Sequence, residues 1–408
     1  MRKIYSAGIS LYAGAVRLAA MRNPKARKMV EGHKEVFRYL EMNRQPDSRY
    51  LWFHAASLGE FEQGRPLIER IRKEHPEYKI LLTFFSPSGY EVRKKYEGAD
   101  LICYLPFDKP ALVNRFLDLT RPEKAFFIKY EFWANYITGL NKREIPVYLI
   151  SAIFRPDQIF FRPYGKFFRD LLSRYTGIYV QDENSKSLLE HIGISHVSIA
   201  GDTRFDRVRT IMQEAKRLPL VEAFVQDAPF TLVAGSSWPK DEDIIIRHFN
   251  ERPEMKLIIA PHEIHEAHVQ EIIKKLNKPY ARYSQLGDNV PADARCLIID
   301  CIGLLSSIYR YGDVAYIGGG FGVGIHNILE AAVYEMPVVF GPNYGKFREA
   351  REMVAARSAY SISDSVQYER LMDRFMLRDG FLESTGQTAG YYVSHNSGAT
   401  EKIQKEIF

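Results

Sequence analysis

The chain has 408 residues, 46% hydrophobic and 26% charged, which excludes a disordered or fibrous polypeptide and leads to two domains of roughly 150 to 200 residues. Lys plus Arg exceed Asp plus Glu by 56 to 50, and the first 34 residues hold eight basic side chains against one acid, Glu31; the near-neutral remainder excludes a nucleic-acid binder with a broad basic face. Three widely spread cysteines, Cys103, Cys296 and Cys301, make neither a disulfide framework nor a zinc ribbon and fit a reducing cytoplasm.

Residues 4–16 carry no charge, but 13 residues fall short of the roughly 20 that a spanning helix needs. Arg2 and Lys3 before this stretch and Ala13-Gly14-Ala15 near its end give it the outline of a signal peptide, yet Ser6, Ser10 and two tyrosines make a poor apolar core. The expectation for 1–34 is a membrane-associating helix lying in the interface. Ile4, Tyr5, Ile9, Leu11, Tyr12, Val16 and Leu18 would insert, and the cations would face an anionic surface. The competing reading is an extra amphipathic helix packed on the domain that follows.

From residue 50 onward, short β-branched or aromatic runs alternate with amphipathic stretches, the pattern of βαβ units and a parallel sheet. Strands are expected at 50–54, 79–84, 101–105, 124–128, 147–151, 177–180 and 197–199. Polar residues 206–228 read as a linker, and a second set follows at 230–234, 256–260, 296–300, 314–317 and 337–340. The expected fold class is α/β: two Rossmann-like doubly wound domains, 35–205 and 229–385, facing across a cleft. Residues 386–408 are expected as a C-terminal helix packing back on the first domain. Open sheets of this kind bind ligands beyond the carboxyl ends of their strands.

At such an end lies His54-Ala55-Ala56-Ser57-Leu58-Gly59-Glu60, small residues followed by a carboxylate at a helix start. A general base projects from a turn of this kind, although an acid there also serves simply to complement the helix dipole. Ser86-Pro87-Ser88-Gly89, Lys129-Tyr130-Glu131-Phe132-Trp133 and Ser151-Ala152 with Arg155 lie on the same edge. In the second half, Gly235-Ser236-Ser237-Trp238-Pro239 offers hydroxyls and amides to a phosphate. Asp241-Glu242-Asp243 imitates a metal motif, but Pro239 opens a helix whose first turn attracts acids on dipole grounds. His262, His265 and His268 spread over about 120° of a helix and lack the zinc-protease spacing. No metal is therefore expected; Pro261-His262 should line the cleft and the later histidines should be solvated.

The most informative stretch is Gly318-Gly319-Gly320-Phe321-Gly322-Val323-Gly324-Ile325-His326-Asn327-Ile328-Leu329-Glu330, read as a strand-to-helix turn. Its glycines let backbone approach a ligand, a helix N-terminus would face a phosphate, and Glu330 one turn in would reach a ribose. Neither the Rossmann fingerprint nor the Walker pattern fits. A glycine turn that merely packs is the alternative.

Together these segments resemble the bacterial 3-deoxy-D-manno-octulosonic acid (Kdo) transferases of lipid A synthesis, GT-B glycosyltransferases, over about residues 50 to 350. The carriers are His54-Ala55-Ala56-Ser57-Leu58-Gly59-Glu60, Tyr130-Glu131-Phe132-Trp133-Ala134-Asn135, Gly201-Asp202-Thr203-Arg204-Phe205-Asp206, Gly235-Ser236-Ser237 and His326-Asn327-Ile328-Leu329-Glu330. The resemblance implies Glu60 as catalytic base. It implies that the second domain binds the donor CMP-Kdo, for which Ser236, Ser237, His262, Gly322, Gly324, His326, Asn327 and Glu330 are the candidates. It places lipid IVA on the first domain, with Ser57, Gly59, Ser86, Ser88, Lys129, Glu131, Ser151 and Arg155 as candidates. No cofactor, metal or nucleic acid is implied, and the amino-terminal segment would attach the enzyme to the cytoplasmic face of the inner membrane.

Three positions depart from the family pattern: Lys129 stands where an acid is usual, Pro261-His262-Glu263 where Pro-Arg-His is common, and Gly324-Ile325 where a glycine pair is usual. The expected chemistry is one inverting displacement without a metal, because a single leaving phosphate can be held by amides. The alternatives are a UDP-sugar GT-B transferase, a hydrolysing 2-epimerase and a non-catalytic nucleotide-binding membrane protein.

Overall fold

A computed structural model describes residues 1–377 and 379–408. The chain divides into two compact units, Met1–Arg207 with Ser397–Phe408, and Val208–Asn396.

The first unit is built on a parallel sheet of seven strands: β1 (Arg49–Ala55), β2 (Tyr78–Phe84), β3 (Leu101–Tyr104), β4 (Pro122–Ile128), β5 (Val147–Ala152), β6 (Gly177–Val180) and β7 (Val197–Ile199), in the order β3-β2-β1-β4-β5-β6-β7. From Tyr50 to Ala55 every residue of β1 is buried, as a central strand covered by helices on both faces requires. Trp52 packs on one face against Phe116, Phe127 and Tyr136. Phe53 goes to the other and stacks on its β4 neighbour Phe126 at 4.5 Å. Each such ring contributes roughly 1.5 to 3 kcal/mol by burial.

The second unit repeats the scheme with β8 (Phe230–Ser237), β9 (Met255–Pro261), β10 (Tyr280–Arg282), β11 (Cys296–Ile298), β12 (Val314–Ile317), β13 (Val338–Phe340) and β14 (Ala359–Ser361), in the order β10-β11-β9-β8-β12-β13-β14. The strand order turns back between β1 and β4 in the first sheet and between β8 and β12 in the second, where β11 also returns to the inner side of the edge strand β10. A ligand crevice belongs at the carboxyl ends of the β1/β4 and β8/β12 pairs. The expected strands all find a place here; β10 and β14 are the two the pattern missed, three-residue edge strands too short to show alternation.

Residues 206–228, read as a linker, are mostly helix, Thr203–Glu214 and Pro219–Val225, and the boundary between the two units falls within them at Arg207/Val208. Phe205, Val208, Leu218, Val221 and Phe224 are buried, and their spacing of three is helical. The terminal segment is two helices, not one. Phe381–His395 lies in the second unit, whereas Ala399–Ile407 lies in the first. Gly398, at φ 110°, stands at the N-cap of the latter, and the Asp206 carboxylate accepts from the Gly398 and Thr400 amides at 2.6 and 2.7 Å.

At the amino terminus, Arg2–Ala19 and Pro24–Asn43 are helices bent 119° from each other, and no single helix among the described residues is long and apolar enough to cross a membrane. The first helix has two apolar faces. Tyr5, Ile9, Ala13 and Val16 pack inward, and the Tyr5 hydroxyl donates to Asp108 Oδ2 at 2.7 Å. Ile4, Leu11 and Leu18 are 72%, 76% and 71% exposed. Of the residues expected to insert in a membrane, Tyr5, Ile9 and Val16 are thus spent on the protein itself.

Candidate active site

At the β1/β4 edge, Ser57 lies two residues past the end of β1 and caps the helix Leu58–Glu74. Glu60, third in that helix, folds back so that its Oε2 accepts from the Ser57 backbone N–H at 2.9 Å and the Ser57 hydroxyl at 3.2 Å. This capping box fixes the carboxylate on the turn. An acid serving only the helix dipole would be held below its ordinary value; Glu60 is held above it, first by burial and then by the nearby charge of Glu131, against the opposing effect of His54 and Ser57. A general base needs that upward tuning.

Glu131 does not line the surface. It is buried, with Oε2 at 3.0 Å from His54 Nε2 and in a short contact with the Trp133 indole N–H. His54 Nδ1 lies 2.9 Å from Thr83 Oγ1, which also accepts from the Trp52 indole at 2.8 Å. The expected acceptor contact at Glu131 is replaced by a buried pair that acts on Glu60 through its charge. Lys129, in the left-handed region at φ 70°, presents an ammonium whose proton affinity is lowered by burial and by Arg204, and raised by Glu60 and Asp202. Arg204 is held on Asp202 Oδ2 by two hydrogen bonds of 2.9 and 2.7 Å. Asp202 and Arg204 were quoted above as part of a motif but given no role.

The other first-unit candidates differ in what they can offer. Arg155 is exposed, and its charge is felt at Lys129 and Tyr130. A side chain added at Gly59 would meet nothing within 4 Å, so this glycine leaves the space above the turn open. Ser86 caps the helix Pro87–Arg93 and lies 2.9 Å from the Ser88 hydroxyl. Ser151 is fully buried, with its hydroxyl 2.9 Å from Thr203 Oγ1, and cannot contact an acceptor. Its strand is covered on both faces, which a polar side chain at a strand end does not reveal.

At the β8/β12 edge the glycines serve the protein before any ligand. A Cβ on Gly318 would lie 2.1 Å from Ser236 O, and one on Gly320 would lie 2.5 Å from Gly341 N. The loop is tied by Asp241, whose buried carboxylate accepts from the Gly319 N–H at 2.9 Å, the Trp238 N–H at 3.0 Å and the Tyr316 hydroxyl at 2.8 Å. Glu242 is buried beside it, taking the Ser237 hydroxyl at 3.0 Å and lying 3.0 Å from His268 Nε2. Three expectations change accordingly. Ser237 is occupied by Glu242, His268 is buried instead of solvated, and the acids after Pro239 are struts of the site, not only dipole partners. Among the described residues no three His, Cys, Asp or Glu side chains converge as a ligand set.

The helix after the glycine loop is a single turn, Leu329–Ala332, too short to build an appreciable dipole. Several loop amides are already used: Gly322 and Gly324 donate to Gly319 O, and His326 donates to Gly318 O. Glu330 accepts from Asn327 Nδ2 at 3.0 Å; Gly322 is exposed and Gly324 is buried at φ 124°. Ser236, at φ 51°, brings its backbone against the loop. What the structure assembles is a ring stack. His262, just past β9, lies 4.7 Å from Trp238 and 4.6 Å from His326 between ring centroids, and the Trp238 indole donates to His326 Nε2 at 3.2 Å. Burial, then His262, lowers the proton affinity of His326. Trp238 was legible only as part of a turn.

Residues 31–207, which hold Glu60 and its neighbours, match the family model described as 3-deoxy-D-manno-octulosonic-acid transferase (kdotransferase). The chain is 28% identical over 316 residues to the 3-deoxy-D-manno-octulosonic acid transferase of Aquifex aeolicus, covering 76% of this chain and 80% of that one. Against the enzyme of the same name from Haemophilus influenzae it is 26% identical over 373 residues, covering 88% and 86%. The chain is thus similar to Kdo transferases, which are glycosyltransferases, over most of its length. Its fold is also that of the UDP-GlcNAc 2-epimerase of Neisseria meningitidis, with a TM-score of 0.62 at 15% identity over 88% of this chain and 98% of that one; at this identity the likeness shows the fold alone. Two departures from the pattern of these relatives stand in the geometry above: Lys129 beside Glu60, and His262 within the ring stack.

Proposed function

We propose that the chain transfers Kdo from CMP-Kdo to the 6-hydroxyl of the distal glucosamine of lipid IVA in lipopolysaccharide core synthesis, with inversion and without a metal. The observation that carries this reading is Glu60, a carboxylate fixed by Ser57 on the β1/β4 turn and held above its ordinary value by burial and by Glu131. Glu60 takes the proton of the attacking hydroxyl, the bond from the ketosidic carbon to the CMP phosphate breaks, and the departing charge falls to the glycine-loop edge of the second unit. Metal independence is part of the reading, since both oxygens of Asp241 are committed to protein donors. Mass spectrometry of the product from purified protein, CMP-Kdo and lipid IVA tests it; a mass increase of one or more Kdo units is expected, and an unaltered acceptor contradicts it.

Attachment to the cytoplasmic face of the inner membrane is the second element of the proposal. Its support is the outward apolar row Ile4, Leu11 and Leu18 beside exposed Lys3, Arg17 and Arg22. Removing residues 1–34 would also strip the Tyr5 anchor and buried Ala13 and Met29, so the cleaner test replaces Ile4, Leu11 and Leu18 by serine. That variant should fold normally and stop sedimenting with anionic liposomes; unaltered sedimentation would move the attachment elsewhere.

A further inference from the structure

A pocket of about 570 Å³ lies where the helices Arg2–Ala19, Pro24–Asn43 and Pro110–Thr120 meet the segment after β3. Its walls are apolar, with Val30, Phe37, Phe107 and Leu112, and its charged lining residues are all cations: Arg17, Lys34 and Arg115. Arg115 is engaged, donating to Glu41 at 2.9 Å and lying over the Phe37 ring. Arg17 and Lys34 form no ion pair with any described residue and are exposed. His33 also lines the pocket, its ring 4.4 Å from that of Phe107. Neither of its nitrogens has a hydrogen-bond partner although both are buried. A neutral imidazole offers one donor and one acceptor, and burial keeps this ring neutral by pushing its pKa down to about 4.

An apolar chamber with two uncompensated cations and an unpartnered imidazole is complementary to an anionic amphiphile. Packed rings connect the chamber wall to the reacting edge. The Phe85 ring lies 6.0 Å from His33 and 4.7 Å from Trp133, and Trp133 bonds to the Glu131 that tunes Glu60. The pocket sits past the end of β3 and Glu60 past the end of β1, two strands apart in the sheet, or about 10 Å at ordinary strand spacing. We propose that this pocket takes a phosphate and the adjoining acyl chain of the lipid acceptor while the acceptor's reacting hydroxyl lies at Glu60. This rests on the acceptor lipid named under Proposed function. The phosphate pairs with Arg17 and Lys34, the chain covers Phe107 and Leu112, and His33 bonds a polar atom at the junction.

The test uses full-length protein, detergent-dispersed acceptor and the same acceptor after enzymatic removal of its phosphates. The double variant Arg17→Ala, Lys34→Ala should raise KM for the phosphorylated acceptor about 10- to 100-fold, with kcat within about threefold. It should leave KM for the dephosphorylated acceptor, already high in the wild type, unmoved. Val30→Phe, which narrows the chamber, should raise KM for both. Equal KM values in the wild type and the double variant would overturn the assignment. Unchanged KM together with lost binding to phosphatidylglycerol vesicles would overturn it in favour of a bilayer phospholipid. Absence of transfer by the wild type would instead sink the reading of the reaction, and this one with it.

Discussion

The β1/β4 and β8/β12 strand-order reversals carry the same topology and opposite chemistry. At the β1/β4 edge, charge is gathered and left in tension: Glu60 above its ordinary value, Glu131 buried beneath it, and Lys129 depressed beside Arg204. At the β8/β12 edge Asp241 and Glu242 are more deeply buried, and burial raises both as it raises Glu60, but Asp241 receives three donors and Glu242 Oε1 a hydroxyl and an imidazole. What it presents is glycine backbone and a Trp238–His262–His326 stack. A buried carboxylate with donors on both oxygens, as Asp241 has, holds a loop in shape. One held by a single cap beside a like charge is poised to take a proton. The company an acid keeps, more than its depth, separates strut from base.

The comparison breaks most visibly at Glu60. Glu60→Gln should lower kcat by roughly 100- to 10,000-fold, the worth of a positioned base, with CMP-Kdo affinity within a few-fold. Stability should move the other way. With the folded pKa above the unfolded one, the stability Glu60 contributes is present at low pH and lost as pH rises through the folded value. The variant should therefore gain on the wild type in thermal melts as pH rises above the ordinary carboxylate range, and near-normal turnover would return Glu60 to the role of a helix cap.

On the other edge, Asp241→Asn should behave as a broken strut. Replacing an acceptor by an amide facing the Gly319 and Trp238 N–H groups leaves buried donors unpaired, at a cost of about 1 to 3 kcal/mol, and should weaken CMP binding by calorimetry at least about tenfold. An intact melt with intact CMP affinity would show that the glycine loop does not depend on Asp241. Glu330→Ala is the smaller perturbation. If that carboxylate meets the donor's ribose, CMP should bind about 10-fold more weakly, within the range of a charged hydrogen bond; unchanged affinity in a folded protein would place the nucleotide elsewhere.

The strands were legible because β1, β4, β8 and β9 each carry a short apolar run, Tyr50–Phe53, Ala125–Ile128, Leu232–Ala234 and Leu257–Ala260, as covered parallel strands do. Glu60 was legible because the capping box that fixes it spans only three residues, Ser57 to Glu60. The pairings that decide roles were not, since they join distant segments. Asp241 meets a glycine 78 positions away and His54 meets Glu131 across 77. Read locally, Asp241 is an ordinary first-turn acid, Ser237 a hydroxyl at a sheet edge and His268 one of two solvated histidines. Only packing of the helix Pro239–Glu251 against the sheet shows that all three face inward. The two-faced helix Arg2–Ala19 was ambiguous for a related reason, because apolar rows on opposite sides merge in sequence into one uncharged stretch.

The most direct measurement of the central claim is the pH dependence of kcat/KM in the wild type and in Glu131→Gln, with melts confirming that both are folded. The base must be deprotonated to act, so activity should rise with pH through the raised pKa of Glu60. Removing the like charge of Glu131 should shift that acidic limb to lower pH. An acidic limb that stays in place in the variant would contradict the account.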